Sequence, residues 1–156
     1  MNILVIEDSR FLRSAIERAL THAGYSVTGV SDGEEGVREA SNNPPALILL
    51  DMMLPGLDGT CVLKALKENT ATARIPVIVL TGLSQRNETR LIKAGAAAYL
   101  EKSALLLEHN ADGLLRVVET VLGTTPHSRG ATKEKAQQGA NSETNQLVPS
   151  HSENLP

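Results

Sequence analysis

Four apolar runs of this chain stop on residues that can do chemistry. NILVI runs into Glu7-Asp8, LILL into Asp51, VIVL into Thr81-Gly82, and AAAYL into Glu101-Lys102. A lone aspartate after such a run is usually a turn former. Four reactive ends in one chain point elsewhere, because parallel strands present their carboxyl ends along one edge, where ligands bind. Three carboxylates gathered there repel, and one takes up a proton unless a cation joins them. Lys102 supplies one positive charge and a hard divalent ion the rest. Magnesium suits a few carboxylates, retained waters and a phosphate oxygen. The set contains no His or Cys that would favour zinc. A carboxylate held beside magnesium and a lysine is a nucleophile toward phosphorus and forms an acyl phosphate. The metal and Lys102 then neutralise charge on the equatorial oxygens.

The elements that must hold these groups follow from periodicity. Asn2–Ile6 reads as a strand buried on both faces. Ser9 caps a helix to about His22, with Leu12, Ile16, Ala19 and Leu20 on its apolar stripe and Arg10, Arg13, Glu17 and Arg18 largely off it. Gly24 stops it. Tyr25–Val30 is a second strand, the one whose end is chemically plain. Ser31-Asp32-Gly33-Glu34 has the spacing of a helix start, and that helix runs to about Ser41 before Asn42-Asn43-Pro44-Pro45 breaks it. Ala46–Leu50 is the third strand, ending at Asp51. Leu54-Pro55-Gly56 turns the chain, and a third helix spans Leu57–Glu68 with Val62, Leu63 and Leu66 inward.

Ile75–Leu80 is the fourth strand, about Arg86–Ala94 the fourth helix, and Ala96–Leu100 the fifth strand. A fifth helix carries Leu114, Leu115, Val118, Val121 and Leu122 and ends at Gly123. Alternating strands and helices give an α/β doubly wound parallel sheet with helices on both faces. From Thr124 onward the chain is rich in small and polar residues and is expected to be disordered. The expected organisation is therefore one domain over 1–123 and a polar tail over 124–156.

Composition narrows the function. The net charge of −3 leaves no basic footprint for nucleic acid. One Phe, two Tyr and no Trp are too few for base stacking. The single cysteine, Cys61, allows no intramolecular disulfide and no zinc cluster, and it is read as a small core filler. His22, His109, His127 and His151 lack metal spacing and are read as surface residues. No apolar run approaches the roughly 18 residues of a membrane span. The start, MNILVIED, does not resemble a signal peptide. A cytoplasmic protein that binds neither membrane nor nucleic acid directly is expected.

The combination Glu7-Asp8, Asp51 followed by LPGLDG, Thr81-Gly82, GAAAYL and Lys102 resembles the receiver domain of bacterial two-component response regulators, over about residues 1–123. The resemblance implies a flavodoxin-like five-stranded sheet of order 2-1-3-4-5 with five helices. It implies that Asp51 accepts a phosphoryl group from a sensor histidine kinase or phosphotransfer protein. Asp8 and Asp51 then bind magnesium directly, Glu7 binds it through water, and the backbone carbonyl of Met53 is a further ligand. Lys102 contacts the phosphoryl group, Gly82 leaves it room, Thr81 is the switch hydroxyl, and Tyr99 turns with Thr81. Output runs through the fourth helix, fifth strand and fifth helix to a downstream protein target or into a homodimer. No catalysis is implied beyond the domain's own phosphoryl transfer and dephosphorylation. Since no DNA-binding or catalytic pattern follows Gly123, a stand-alone receiver is expected.

The family usually places proline after the lysine, often with a cis bond. Here Ser103 follows, where a cis bond costs roughly 3 kcal/mol, so a trans bond or an altered loop is expected. The stretch ALLLEHNADG is longer than the usual connection, and Leu105, Leu106 and Leu107 are read as packing under the last helix, with an exposed partner patch as the alternative. A rival function is a receiver-like module that works by binding alone, although such modules typically lose an acidic, Thr or Lys position and none is lost here. A metal-dependent phosphatase usually has a second carboxylate two residues after the nucleophile and a cap, whereas position 53 is Met and no cap-sized insertion follows. A nucleotide-binding domain needs a Gly-rich loop after the first strand, and none is present.

Overall fold

A computed structural model describes residues 1–82, 88–106 and 111–124. The elements are β1 (Asn2–Ile6), α1 (Arg10–His22), β2 (Ser26–Val30), α2 (Gly33–Asn42), β3 (Leu47–Asp51), α3 (Gly59–Glu68), β4 (Val77–Thr81), α4 (Glu88–Lys93), β5 (Ala98–Glu101), α5 (Lys102–Leu106) and α6 (Ala111–Leu122). All strand pairs are parallel, in the order β2-β1-β3-β4-β5. This is the doubly wound sheet read from the alternation of elements.

The three central strands are buried on both faces, which is why their sequences are continuous apolar runs rather than alternating ones. Ile3, Val5, Leu47, Leu49, Ile78 and Leu80 pack with Leu12, Ile16 and Leu20 of α1 and Leu114, Leu115 and Val118 of α6. The intervening residues Leu4, Ile6, Ile48, Leu50, Val77 and Val79 face the other layer, with Ala40 of α2 and Val62, Leu63 and Leu66 of α3. Side chains alternate along a strand, so two independent cores clamp the same backbone and hold its ends rigidly.

Among the described residues six helices are found where five were expected. The extra one, α5, begins at Lys102 itself, so the chain passes from β5 into a helix without an intervening loop. Ser103 makes this local, with its hydroxyl 3.4 Å from the Glu101 carboxylate and no cis bond among the described residues. Leu105 packs against the α1/α6 core, as read; Leu107 lies outside the described residues.

Caps set the helix starts. The Ser9 hydroxyl accepts from the Leu12 N–H at 3.3 Å. For α2, which begins at Gly33, the cap is Asp32 rather than Ser31, its carboxylate accepting from Glu35 N–H at 2.8 Å. Asp58 caps α3, whose first residue, Gly59, lies two residues later than the expected start at Leu57. Gly24 and Gly123, read as helix stops, take positive φ at 97° and 70°, and Gly95, which follows α4, does so at 110°. Among the described residues no helix is long and apolar enough to cross a membrane. The expected tail beyond Thr124 and the histidines at 109, 127 and 151 lie outside the described residues.

Candidate functional site

The carboxyl ends of β1, β3 and β5 converge on one cation. Lys102 Nζ lies 2.7 Å from Asp51 Oδ2 and 3.2 Å from Glu7 Oε2, and both carboxylates are fully buried. The remaining oxygens are held by backbone: Asp51 Oδ1 accepts from Met53 N–H at 2.9 Å and Glu7 Oε1 from Ser9 N–H at 3.0 Å. Each buried carboxylate is thus fixed at one oxygen by the turn that follows its own strand. Asp8 is exposed on the open side, and one oxygen from each of Glu7, Asp8 and Asp51 lies within 4.8 Å of the others.

The electrostatics reflect this crowding. Burial, reinforced by the Asp51 charge, pushes the Glu7 carboxyl up to about 7 against the pull of the Ser9 N–H and Lys102. Burial alone lowers Lys102, but the hydrogen bond and charge of Asp51, then those of Glu7, outweigh it and hold the ammonium above its ordinary value. A carboxyl raised in the folded state binds a proton that the unfolded chain has released, so its contribution favours folding at low pH and is lost as pH rises from about 4.5 toward about 7. Metal-free protein is therefore expected to lose on the order of 3 kcal/mol over that window from this group. Glu7→Gln should flatten the slope in urea unfolding series run in EDTA at pH 5 to 8. An unchanged slope in the variant would show that Glu7 is not its source.

The donor set fits a hard divalent cation. Lys102 is the one partner within reach of Glu7 Oε2 and Asp51 Oδ2 among the described residues, and no further hydrogen bond satisfies either buried oxygen. One ammonium against three clustered carboxylates leaves negative charge uncompensated. All three offer oxygen, the ligand type that magnesium and its hard relatives take.

The other expected residues occupy the same end of the sheet. Thr81, the last residue of β4, is buried and lines a cavity of about 470 Å³ between α3 and α4 with Met52, Thr60, Arg90 and Leu91. Gly82 is exposed, and a side chain there would meet no neighbour among the described residues. Met53 is exposed beyond Asp51 and contributes its N–H to that carboxylate. Tyr99 is not at the cluster. Its ring packs against the α2/α3 core, and the Glu88 carboxylate at the start of α4, beside its hydroxyl, raises the phenol above its ordinary value.

Cys61 is exposed rather than a core filler. The buried stripe of α3 runs through Gly59, Val62, Leu63 and Leu66, and position 61 falls off it. Three residues around the site were not singled out from sequence. Gly59 packs directly on the backbone of Asp51 and Met52. Arg13 donates from Nη1 to the Glu7 carbonyl at 2.8 Å. The Glu88 carboxylate stands beside the Tyr99 hydroxyl. Gly59 falls within the LPGLDG motif that follows Asp51; nothing local in sequence marks the other two.

Comparison with known proteins follows the same lines. The family model for the response regulator receiver domain matches residues 3–108. The gliding motility regulatory protein of Myxococcus xanthus is 42% identical over 119 residues, covering 75% of this chain and 15% of that protein. The transcriptional regulatory protein HprR of Escherichia coli K12 is 41% identical over 103 residues, covering 65% of this chain and 45% of that protein. The chain therefore spans less than half the length of these relatives. Among solved structures, the receiver domain of sensor histidine kinase PA1611 from Pseudomonas aeruginosa PAO1 has a magnesium ion coordinated in its active site cleft. It aligns with a TM-score of 0.69 at 31% identity, covering 79% of this chain and 98% of that one.

Proposed function

The chain belongs to the response regulator receiver family of two-component signalling, and from that premise we propose that it accepts a phosphoryl group on Asp51 and uses it to switch protein contacts. The observation that carries the reading is the Lys102 ammonium set between the buried carboxylates of Asp51 and Glu7, with Asp8 beside them. A nucleophile, a cation for the transferred group and a metal-compatible carboxylate set share one rigid edge.

Asp8 and Asp51 would hold magnesium directly, with Glu7 through water and the Met53 carbonyl as a further ligand. When bound, the ion neutralises charge on the phosphoryl oxygens. The chain's own residues supply the rest. Asp51 attacks phosphorus of a phosphohistidine on a sensor kinase or phosphotransfer protein. An O–P bond forms as the N–P bond breaks, and the imidazole leaves with the electron pair and takes up a proton. Lys102 follows the new phosphoryl oxygens, since its tie to Asp51 is to the oxygen not held by Met53. Thr81 donates to the same group, and Tyr99 leaves Glu88 as the equilibrium between two states shifts. The readout face is α4, β5 and α6, toward a downstream protein or a second copy of the chain, and output by protein contact rather than direct DNA binding is part of this proposal.

The test is intact-mass measurement after incubation with a small acyl-phosphate donor. The expected gain is one phosphoryl group, in magnesium but not in EDTA, and absent in Asp51→Asn. A folded protein that gains nothing in magnesium would favour a module that works by binding alone.

A further inference from the structure

The second strand ends on no reactive group, yet it contributes to the site through a side chain it lacks. Arg13, at the end of the first turn of α1, reaches back with Nη1 to the Glu7 carbonyl at 2.8 Å. That carbonyl lies just past the end of β1, where the ladder to β2 closes with Glu7 N–H donating to Val30 at 3.1 Å. Arg13 Nε faces Glu17 Oε1 at 3.7 Å. Glu17 in turn lies over Gly29 of β2: a Cβ at 29 would fall 1.8 Å from Glu17 Oε1 and 3.1 Å from Arg13 Cδ. An ordinary pair one turn apart on an exposed helix face is mobile and contributes little. Here the arginine is tied to backbone at one nitrogen and faces the carboxylate with another, and the carboxylate occupies space that any other residue at 29 would take.

We propose that Arg13 is a positioning residue for the Glu7–Asp8 carboxylate pair, steadied by Glu17 on the seat left by Gly29, and that this brace sets the site's affinity for a divalent cation. The inference deepens the receiver reading and rests on it. Glu7 then has its N–H, its carbonyl and one carboxylate oxygen each fixed by a different partner: Val30, Arg13 and Ser9. Asp8 follows on the same backbone. If the carbonyl of Glu7 is released, the β1–α1 turn gains freedom and the two carboxylates no longer hold a common distance. The cost appears in cation binding, as for other groups that orient metal ligands without touching the metal.

Magnesium dissociation constants are measured by calorimetry for the full chain and for Arg13→Ala, Arg13→Lys and Gly29→Ala, with unfolding curves in EDTA and phosphorylation rates at saturating magnesium. Arg13→Ala is expected to weaken magnesium about tenfold, while the rate at saturation stays near that of the unsubstituted chain. Arg13→Lys should fall between, because one ammonium can hold the carbonyl but has no planar fork to face Glu17 as well. Gly29→Ala should weaken binding in the same direction although position 29 touches no carboxylate of the site, since its methyl displaces the free end of Glu17. Undiminished affinity in either alanine variant overturns the proposal. If Arg13→Ala does not fold in EDTA, Gly29→Ala and Arg13→Lys carry the comparison. Failure of the unsubstituted chain to bind magnesium would instead remove the reading on which the brace rests.

Discussion

Lys102→Ala is expected to destabilise the metal-free protein by about 3 to 4 kcal/mol at pH 8. The ammonium stands between two carboxylates that are fully buried, at 2.7 and 3.2 Å, and removing it leaves both without a cation. The penalty is that of uncompensated buried charge, not the net worth of the pair, so it exceeds what forming the contact contributed. Its pH dependence identifies it. Glu7 already sits at about 7 with Lys102 present. Without the lysine the Glu7 carboxyl loses a pull that lowers it and rises further in the folded state, so the folded protein holds a proton that the unfolded chain lacks. The variant should be close to the unsubstituted protein at pH 5 and fall away as pH rises. Magnesium should restore much of the loss by mass action on the folded state. Adding Glu7→Gln should do so without metal by removing one of the stranded charges. Urea unfolding in EDTA at several pH values separates these outcomes. A small, pH-independent loss would mean that the ammonium is solvated in solution and does not hold the carboxylates.

The strands were legible because burial on both faces leaves no choice of pattern: ILVI, LILL and VIVL are apolar at every position. The strand ends were legible for the complementary reason, since Glu7, Asp51 and Lys102 interrupt those runs abruptly. Strand order came from the resemblance; alternation of elements fixes a parallel sheet but not the sequence in which its strands lie. Residue preference misled where phase should have decided. Cys61 was read as buried because cysteines usually are, yet Val62, Leu63 and Leu66 had already set the inward face of α3 and left 61 outside it. The five-residue helix α5 is too short to show a period at all. The roles of Arg13 and Gly29 were hidden for a different reason. A long side chain that turns back to backbone leaves no trace in spacing, and the absence of a side chain becomes informative once the neighbour filling that space is known.

Gly59→Ala is expected to cost about 3 kcal/mol and to impair Asp51 at the same time. Gly59 is the first residue of α3, and its added Cβ would lie 2.5 Å from Met52 Cα, 2.6 Å from the Asp51 carbonyl oxygen and 3.0 Å from the Met52 carbonyl carbon. All three are backbone atoms, so no change of rotamer relieves the contact. The first turn of α3 must withdraw, or the segment after β3 must move. The same segment supplies the Met53 N–H that holds Asp51 Oδ1 at 2.9 Å, and Met52 carries the carbonyl that accepts from Gly59 N–H at 3.3 Å. Steric relief therefore comes through the residues that aim the nucleophile. Gly113→Ala is the matching control. It lies in α6 with nothing among the described residues within 4 Å of an added Cβ, and there alanine should stabilise by about 0.5 to 1 kcal/mol through helix propensity. Opposite signs for the two substitutions in thermal unfolding, with phosphorylation at saturating magnesium reduced for position 59 alone, would tie close packing of α3 on the end of β3 to the orientation of Asp51. Equal stability of Gly59→Ala and the unsubstituted chain would mean that α3 has room to withdraw from β3. The contact would then be a consequence of the fold and not a constraint on the nucleophile.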